Sequence, residues 1–274
     1  MPLRRPTTSL QPLPLSLESA MDAAWPALDR HESGGWILRA AGGVTQRANS
    51  VWPRGINGHS GEELSGLLRE ARSWYGRRRL PVIFQISEDA DDAAALHNLL
   101  DVEGFTRQSS TRVLTRSAKD LPDPALFPGA PAVELSSVPS DDWMHVWWLV
   151  DGRGGNEEQA IALRILSGCP SVYALVRNND GRPAAVGRLA LPEGSSMGGI
   201  YCMSTLPEAR RQGFAAAVLE ELLRAGNDSD VTDFWLQVTA ANLDAQGLYA
   251  RAGFRLSGSY VYRQDSRHSA PSGR

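Results

Sequence analysis

The sequence predicts an α/β fold built on a mixed sheet. Three observations lead there: short apolar runs alternate with amphipathic stretches, a turn signal joins two runs into a hairpin, and the helix–strand rhythm of the first half returns in the second. In the second half, Val133 to Leu135 predict a short strand. Asp141 and Asp142 stand where they can cap a helix through Trp143, Val146, Trp147 and Val150. Glu157 to Leu166 predict a second helix, with Ile161, Ile165 and Leu166 on one stripe and Gly168 ending it. Val172–Arg177 and Ala184–Leu191 predict two strands joined by Asn179-Asp180-Gly181, residue types that tolerate the positive φ of a tight turn. Gly199–Thr205 predicts a strand, Ala215–Arg224 a helix, Phe234–Thr239 a strand, Asp244–Ala252 a helix and Phe254–Tyr262 a closing strand.

The repeat rests on identities at nearly constant offset. An offset of 152 residues places Gln85 on Gln237, Gly61 on Gly213 and Leu67 on Leu219, and one of 149 places Gly104-Phe105 on Gly253-Phe254. Each segment reads helix, strand, helix, Gly-Phe, strand. Upstream in the first half, Trp36–Ala40 and Val44–Trp52 predict a hairpin across Ala41-Gly42-Gly43. The stretch from Lys119 to Pro131 carries four prolines and no period, and predicts a linker. The organisation expected is a leader over 1–17, a first domain over 18–118, the linker over 119–131, a second domain over 132–262 and a disordered tail over 263–274.

Composition narrows the function. The formal net charge is -3, without a basic excess in either half, which disfavours nucleic-acid binding. The Arg77-Arg78-Arg79 run reads as a solvated helix end. Two cysteines, Cys169 and Cys202, exclude a disulfide scaffold, and five scattered histidines leave no metal-ligand spacing, so no metal is expected. No apolar run is long enough to span a membrane, and the Pro-rich start lacks the core of a secretory signal. A cytoplasmic protein is expected.

The chemistry concentrates in Gly199 to Leu223. A strand ends near Thr205, Pro207-Glu208 turn the chain, and Arg210-Arg211-Gln212-Gly213-Phe214-Ala215 lead into an amphipathic helix. Glycine and small residues at a helix start let backbone N–H groups approach an anion, favoured there by the helix dipole. A tight turn with a surface arginine pair is the plainer reading of that stretch alone.

The stretch resembles the pyrophosphate loop of the GCN5-related N-acetyltransferase family, whose pattern is Arg or Gln, any two residues, Gly, any one, then Gly or Ala. A second block, TAANLDAQGLYARAGFR, resembles the family's later signature at Asn242, Ala245, Tyr249, Gly253 and Phe254. The resemblance covers residues 132 to 262. It implies an acyl-CoA N-acyltransferase fold, a mixed, mostly antiparallel sheet flanked by helices, and acetyl-CoA as co-substrate. Arg210, Arg211, Gln212, Gly213, Phe214 and Ala215 would offer amides to its diphosphate. The strand through Met203 and Thr205 would splay from Phe234–Thr239 to admit the pantetheine arm, which Asn242, next to Ala245, would also bind. Asn242 reads equally as a helix N-cap.

Tyr249 is then the candidate general acid, since a departing thiolate, with a reference pKa of about 8.5, needs only a modest proton donor. Otherwise Tyr249 is a core aromatic. A backbone amide near Met203 would meet the oxyanion. The attacking amine must be neutral, and Glu193, Glu208 and Asp244 are the candidate bases, Glu193 foremost. Phe214 and Met203 stand where they could narrow the thioester end.

At the same offsets the first half places Gly58, Gly61 and Glu63 on Arg210, Gly213 and Ala215, and Leu100 and Ala93 on Tyr249 and Asn242. It therefore resembles a degenerate copy that binds no cofactor, in a tandem form of the family. Arg39, Arg47 and Asn49, the last two on one face of an expected strand, are read as a solvated strand face beside the core tryptophans Trp36 and Trp52, or as the wall of an acceptor pocket. Trp143, Trp147 and Trp148 are read as packing or as an aromatic lid near Asp151. The function expected is acetylation of a small-molecule primary amine. The alternatives are acetylation of a protein N-terminus or lysine, and an acyl-CoA-binding sensor without turnover. Acceptor identity, acyl length and oligomeric state stay open.

Overall fold

A computed structural model describes residues 13–88, 93–120 and 131–266. All strands join one sheet of 11, ordered β1-β2-β3-β4-β11-β5-β10-β9-β8-β7-β6. In chain order the first half runs α1 (Leu15–Ala24), β1 (Asp29–Ser33), β2 (Trp36–Ala40), β3 (Val51–Pro53), α2 (Gly61–Gly76), β4 (Ile83–Ser87), α3 (Ala93–Val102) and β5 (Phe105–Ser117). The second runs β6 (Val133–Ser136), α4 (Asp141–Asp151), α5 (Asn156–Leu166), β7 (Ser171–Arg177), β8 (Pro183–Ala190), β9 (Met197–Thr205), α6 (Phe214–Asn227), β10 (Asp233–Thr239), α7 (Leu243–Arg251) and β11 (Arg255–Asp265).

The strand order has a local two-fold relation. Outward from the central antiparallel pair β11–β5, the left arm reads β4, β3, β2, β1 and the right arm β10, β9, β8, β7, with β6 added at the far edge. Among the described strands only β3–β4 and β9–β10 pair in parallel. The final strand of each half therefore crosses into the other half's arm: β11 lies against β4, and β5 against β10. The predicted mixed, mostly antiparallel sheet with flanking helices is what the chain forms. The recurrence of helix, strand, helix, strand at an offset near 150 maps α2-β4-α3-β5 onto α6-β10-α7-β11.

Period-2 alternation sends side chains to two faces. In β10, Phe234, Leu236 and Val238 pack under α6 and α7, while Trp235 faces the opposite layer. In β11, Val261 packs under α2 and α3, while Tyr260 and Tyr262 face α1, α4 and α5. The latter layer holds the tryptophans. Trp143 and Trp147 are buried, and Trp147 packs edge-on to Trp25, the residue after α1, with ring centroids 6.3 Å apart. Trp143 donates its indole N–H to the Gly187 carbonyl at 3.0 Å. These two serve packing, and Trp148 is half-buried against them.

Several local expectations shift. Ser140, not Asp141 or Asp142, caps α4 by accepting from the Trp143 amide, and the two aspartates occupy the first turn, where their charge suits the dipole. Helix α1 starts at Leu15, with Leu17 buried, so the leader is not free up to residue 17. Strand β11 continues to Asp265 with Arg263 and Asp265 buried, so these residues belong to the sheet rather than the tail. The rest of the expected tail, most of the leader and residues 121–130 of the expected linker lie outside the described residues. The strand expected over Val44–Trp52 is a loop until Val51. Asn49 holds that loop closed: its Oδ1 accepts from the amides of Ala41 and Gly43, and its Nδ2 donates to the carbonyls of Ala41 and Thr45. No helix among the described residues is long and apolar enough to cross a membrane.

Candidate functional site

The site begins where β9 and β10 part. They pair in parallel from Met197/Asp233 to Ile200/Leu236, and the pairing stops there although β9 runs on to Thr205 and β10 to Thr239. Tyr201 to Thr205 thus keep one backbone edge off the ladder. On its other edge β9 bulges: Val186 faces Ser204 and Arg188 faces Tyr201, so Cys202 and Met203 together oppose Gly187. Cys202 takes φ 53, a left-handed conformation that costs a non-glycine residue energy. Gly187 has no room for a side chain, since a Cβ would lie 2.6 Å from Val218 Cγ1 and 2.7 Å from Met203 Sδ. A glycine inside a strand is the sequence signal for such a bulge.

Beyond Thr205 the chain turns over Pro207–Ala209 and enters α6 through Gly213, at φ 84, with Arg211 also left-handed at φ 64. No side chain caps α6. Its first amides, those of Phe214 and Ala215, have no acceptor within the helix, while Ala216 and Ala217 donate to the Gly213 carbonyl. Arg210 donates to the Thr205 carbonyl at 3.3 Å and Gln212 to the Glu208 carbonyl at 3.0 Å, bonds that hold the loop folded over the end of β9. Arg210, Arg211, Gln212 and Gly213 are exposed; Phe214 is buried in the core under β8 and β10. The Phe214 ring therefore anchors the helix and does not narrow the thioester end. A loop of this shape fits a diphosphate: free N–H groups, a positive helix end, two arginines and no carboxylate side chain over the first turn.

Helix α7 brings the second block to the same end of the sheet. Asn242 is its N-cap, with Oδ1 accepting from the Ala245 amide at 3.1 Å. Capping uses the oxygen and leaves the Nδ2 donors. Tyr249 is buried in contact with Phe254, ring centroids 6.1 Å apart. Burial, and next the charge of Asp151, push its phenol above the usual tyrosine range, so it stays protonated at neutral pH. Asp151, at the end of α4, accepts from the Ser204 hydroxyl at 2.8 Å. The structure thus gathers Met203, Thr205, the 210–215 loop, Asn242, Ala245 and Tyr249 about the open end of β9 and β10. It adds Asp151 and Ser204, which the sequence pattern did not single out as chemical groups.

Glu193 does not join them. It is exposed in the β8–β9 turn, ahead of Met197 at the opposite end of β9, where its charge acts on Cys169. Glu208 and Asp244 are exposed on the loop and at the start of α7. Burial pushes the Cys202 thiol up to about 12, which removes it as a thiolate nucleophile.

The first half repeats the shape with different chemistry. Strands β3 and β4 pair only at Val51/Phe84, so they also part. The helix that follows is closed by its own side chains. The Glu63 carboxylate accepts from the Ser60 amide at 2.6 Å, and Ser60 Oγ accepts from the Glu63 amide. Those hydrogen bonds hold Glu63 below the usual carboxylate range, fixing a negative charge where α6 presents bare amides. Leu100 and Ala93 are buried core residues.

A parted pair of parallel strands above an uncapped, glycine-entered helix defines the acyl-CoA N-acyltransferase fold of the GCN5-related class. Residues 15–263 match the family described as "Probable histone acetyltransferase Rv0428c C-terminal", and the chain belongs to that family. It is 27% identical over 253 residues to the uncharacterized N-acetyltransferase YobR of Bacillus subtilis (strain 168), covering 90% of this chain and 96% of that protein. It is also 27% identical over 249 residues to Rv0428c of Mycobacterium tuberculosis, covering 88% and 70%. Among solved structures, a GCN5-related N-acetyltransferase from Kribbella flavida superimposes with TM-score 0.67 at 18% identity, over 94% of this chain and 96% of that one. A tandem protein of the same class from the clavulanic acid biosynthesis pathway gives 0.63 at 13% identity, over 95% and 90%.

Proposed function

We propose that the chain is an acetyl-CoA-dependent N-acetyltransferase acting on a small primary amine, with one cofactor site, in the second half. The observation that carries this reading is the end of β9–β10 pairing at Ile200/Leu236 beside the uncapped start of α6. The amides of Phe214 and Ala215, with Arg210 and Arg211, would hold the diphosphate. The free edge of Tyr201–Thr205 and the Nδ2 of Asn242 would hold the pantetheine arm. When bound, acetyl-CoA supplies an activated thioester. The Met203 amide is the candidate donor to the oxyanion, and Tyr249 gives its proton to the departing sulfur. Asp151, joined to β9 through Ser204, takes the base role expected of Glu193.

In this reading the first half is a silent copy, because Glu63 fills the anion position of α2. Titration of acetyl-CoA into the full chain by calorimetry tests it. One site per chain is expected. Two sites overturn the silent first half, and none overturns the enzyme.

A second reading, acetylation of a protein, has the name of the relative Rv0428c in its favour. Turnover of lysine peptides or N-terminal peptides above every small amine would select it. Acetyl-CoA binding without cleavage by any acceptor would select a sensor.

A further inference from the structure

A cavity of about 260 Å³ opens between α1, the chain after β3 and the centre of the sheet. Its lining crosses both halves: Asp22 and Glu18 from α1, Arg39 from β2, Arg54 after β3, Ser87 from β4, and Gln237 and Tyr260 from the second half, with Arg47 from the 41–50 loop. Four buried polar atoms of these residues lack hydrogen-bond partners: Arg47 Nε, Ser87 Oγ and both amide atoms of Gln237. Buried polar atoms are almost always paired, so several orphans in one wall mark a place where something polar belongs.

Arg47 decides what. Its guanidinium lies over the rings of Trp25 and Tyr201, 5.2 Å from each centroid. Burial works against its charge, and the groups that support it are the phenols of Tyr260, which also hydrogen-bonds it, Tyr262 and Tyr201; no carboxylate of the described residues is among them. Burial pushes the Tyr201 phenol up to about 12 and raises that of Tyr262, so neither provides a phenolate at neutral pH. Aromatic faces offset part of the cost of a buried cation but do not neutralise it. The other charges in the lining are accounted for differently. Asp22 is held by Arg39 at 2.8 Å and by Arg30, and Arg39 also donates to Ser50 and Gln85. Arg54 lies over the Trp52 ring, so among the described residues the buried cation of the lining that no carboxylate matches is that of Arg47, and a single carboxylate would balance it.

One residue of the lining, Gln237, borders the reaction gap. Gln237 is the first residue of β10 beyond the last pair with β9, and Tyr201, under Arg47, is the first of β9. Its volume lies just below the usual range for small-ligand pockets and excludes a folded polypeptide.

We propose that this cavity binds the carboxylate of the acceptor through Arg47, Gln237 and Ser87, so that the amines acetylated are small amino acids. The proposal rests on the transferase reading above and adds the substrate class.

The test measures CoA release by the full chain with matched pairs: glycine, β-alanine, L-leucine and L-phenylalanine against methylamine, ethylamine, isoamylamine and phenethylamine. At least one acid is expected to exceed its matched amine at least tenfold in kcat/KM. Arg47→Gln should cut that acid's kcat/KM, through KM, by tenfold more than it cuts the amine's, with acetyl-CoA binding intact. Gln237→Leu should raise the same KM, and serves alone if Arg47→Gln fails to fold. Saturable quenching of tryptophan fluorescence by the acids gives a second readout. Amines equal to or better than all their acids, or equal losses for both, overturn the proposal. So does the absence of any saturable acid binding. Acid binding that needs Arg47, without turnover of any amine, upholds the cavity and overturns the transferase reading instead.

Discussion

Arg188, in the middle of β8, donates to the carbonyl of Ala24 at the end of α1, 3.0 Å away and 164 residues earlier in the chain. The same guanidinium donates to the Leu166 carbonyl at the end of α5 and to Ser171 Oγ. One buried side chain therefore ties the first helix of the first half to the sheet and a helix of the second. Arg188→Met would leave the Ala24 carbonyl and Ser171 Oγ without this donor, at about 1 kcal/mol or more each, while the Leu166 carbonyl keeps the Tyr173 hydroxyl. Destabilisation of about 2 kcal/mol or more is expected in urea unfolding. Arg188→Lys should recover little, since an ammonium cannot reach all three positions.

Gly213 can be tested separately from its surroundings. Nothing lies within 4 Å of a Cβ placed there, but its φ is 84. Gly213→Ala should cost about 1 kcal/mol from backbone strain alone. Weaker acetyl-CoA binding by calorimetry should accompany it, as the loop relaxes away from the free amides. Unchanged affinity would count against the diphosphate assignment.

Asn242 has two separable duties. Asn242→Ala removes the cap of α7, worth about 1 kcal/mol, together with the Nδ2 donors. Asn242→Asp restores a capping oxygen and no donor. Stability should return to the parent value in thermal unfolding while acetyl-CoA affinity stays reduced. Recovery of both would reduce Asn242 to a cap.

Tyr249→Phe should keep acetyl-CoA affinity and lose turnover by roughly a hundredfold or more, the range for a positioned proton donor. The group must be protonated to act, and its folded pKa is raised by burial. Wild-type kcat should therefore show no loss attributable to this phenol near pH 10, where a free tyrosine ionises. A turnover that falls with an apparent pKa near that of free tyrosine would assign the proton to another group.

Much of this site was legible because its signals are local. Gly213 needs a left-handed φ, Asn242 caps a helix, and the hairpin turn at 178–182 is held by the Asn178 side chain with Gly181 left-handed. What the sequence hid depends on distant partners. The loop over 41–50 has the alternation of a strand, but Asn49 bonds four backbone groups within it, and those bonds outweigh the ladder it could have joined. Glu193 is polar and lies near β9 in sequence, and the direction of β9 carries it to the wrong end. Asp151 and Ser204 meet only after α4 packs on β9, and no spacing records that.

Five buried tyrosines, Tyr75, Tyr173, Tyr201, Tyr249 and Tyr262, have phenols raised by burial. A raised folded pKa stabilises the fold fully below the unfolded value, about 10, and that stability is lost as pH rises toward the folded value. Urea midpoints should hold steady from pH 7 to 9 and fall above about pH 10, by up to about 1.4 kcal/mol per pH unit for each tyrosine. A decline already complete below pH 9 would place the sensitivity elsewhere.

The crossing of β5 and β11 sets how this molecule can respond to what it binds. Each arm ends on a strand owned by the other, so separating the arms would tear a ladder of backbone bonds rather than open a hinge. Selectivity for one acceptor over another must then be written in the side chains that line a rigid mould. A descendant of this chain would acquire a new substrate by exchanging residues on its walls, not by learning to close around it.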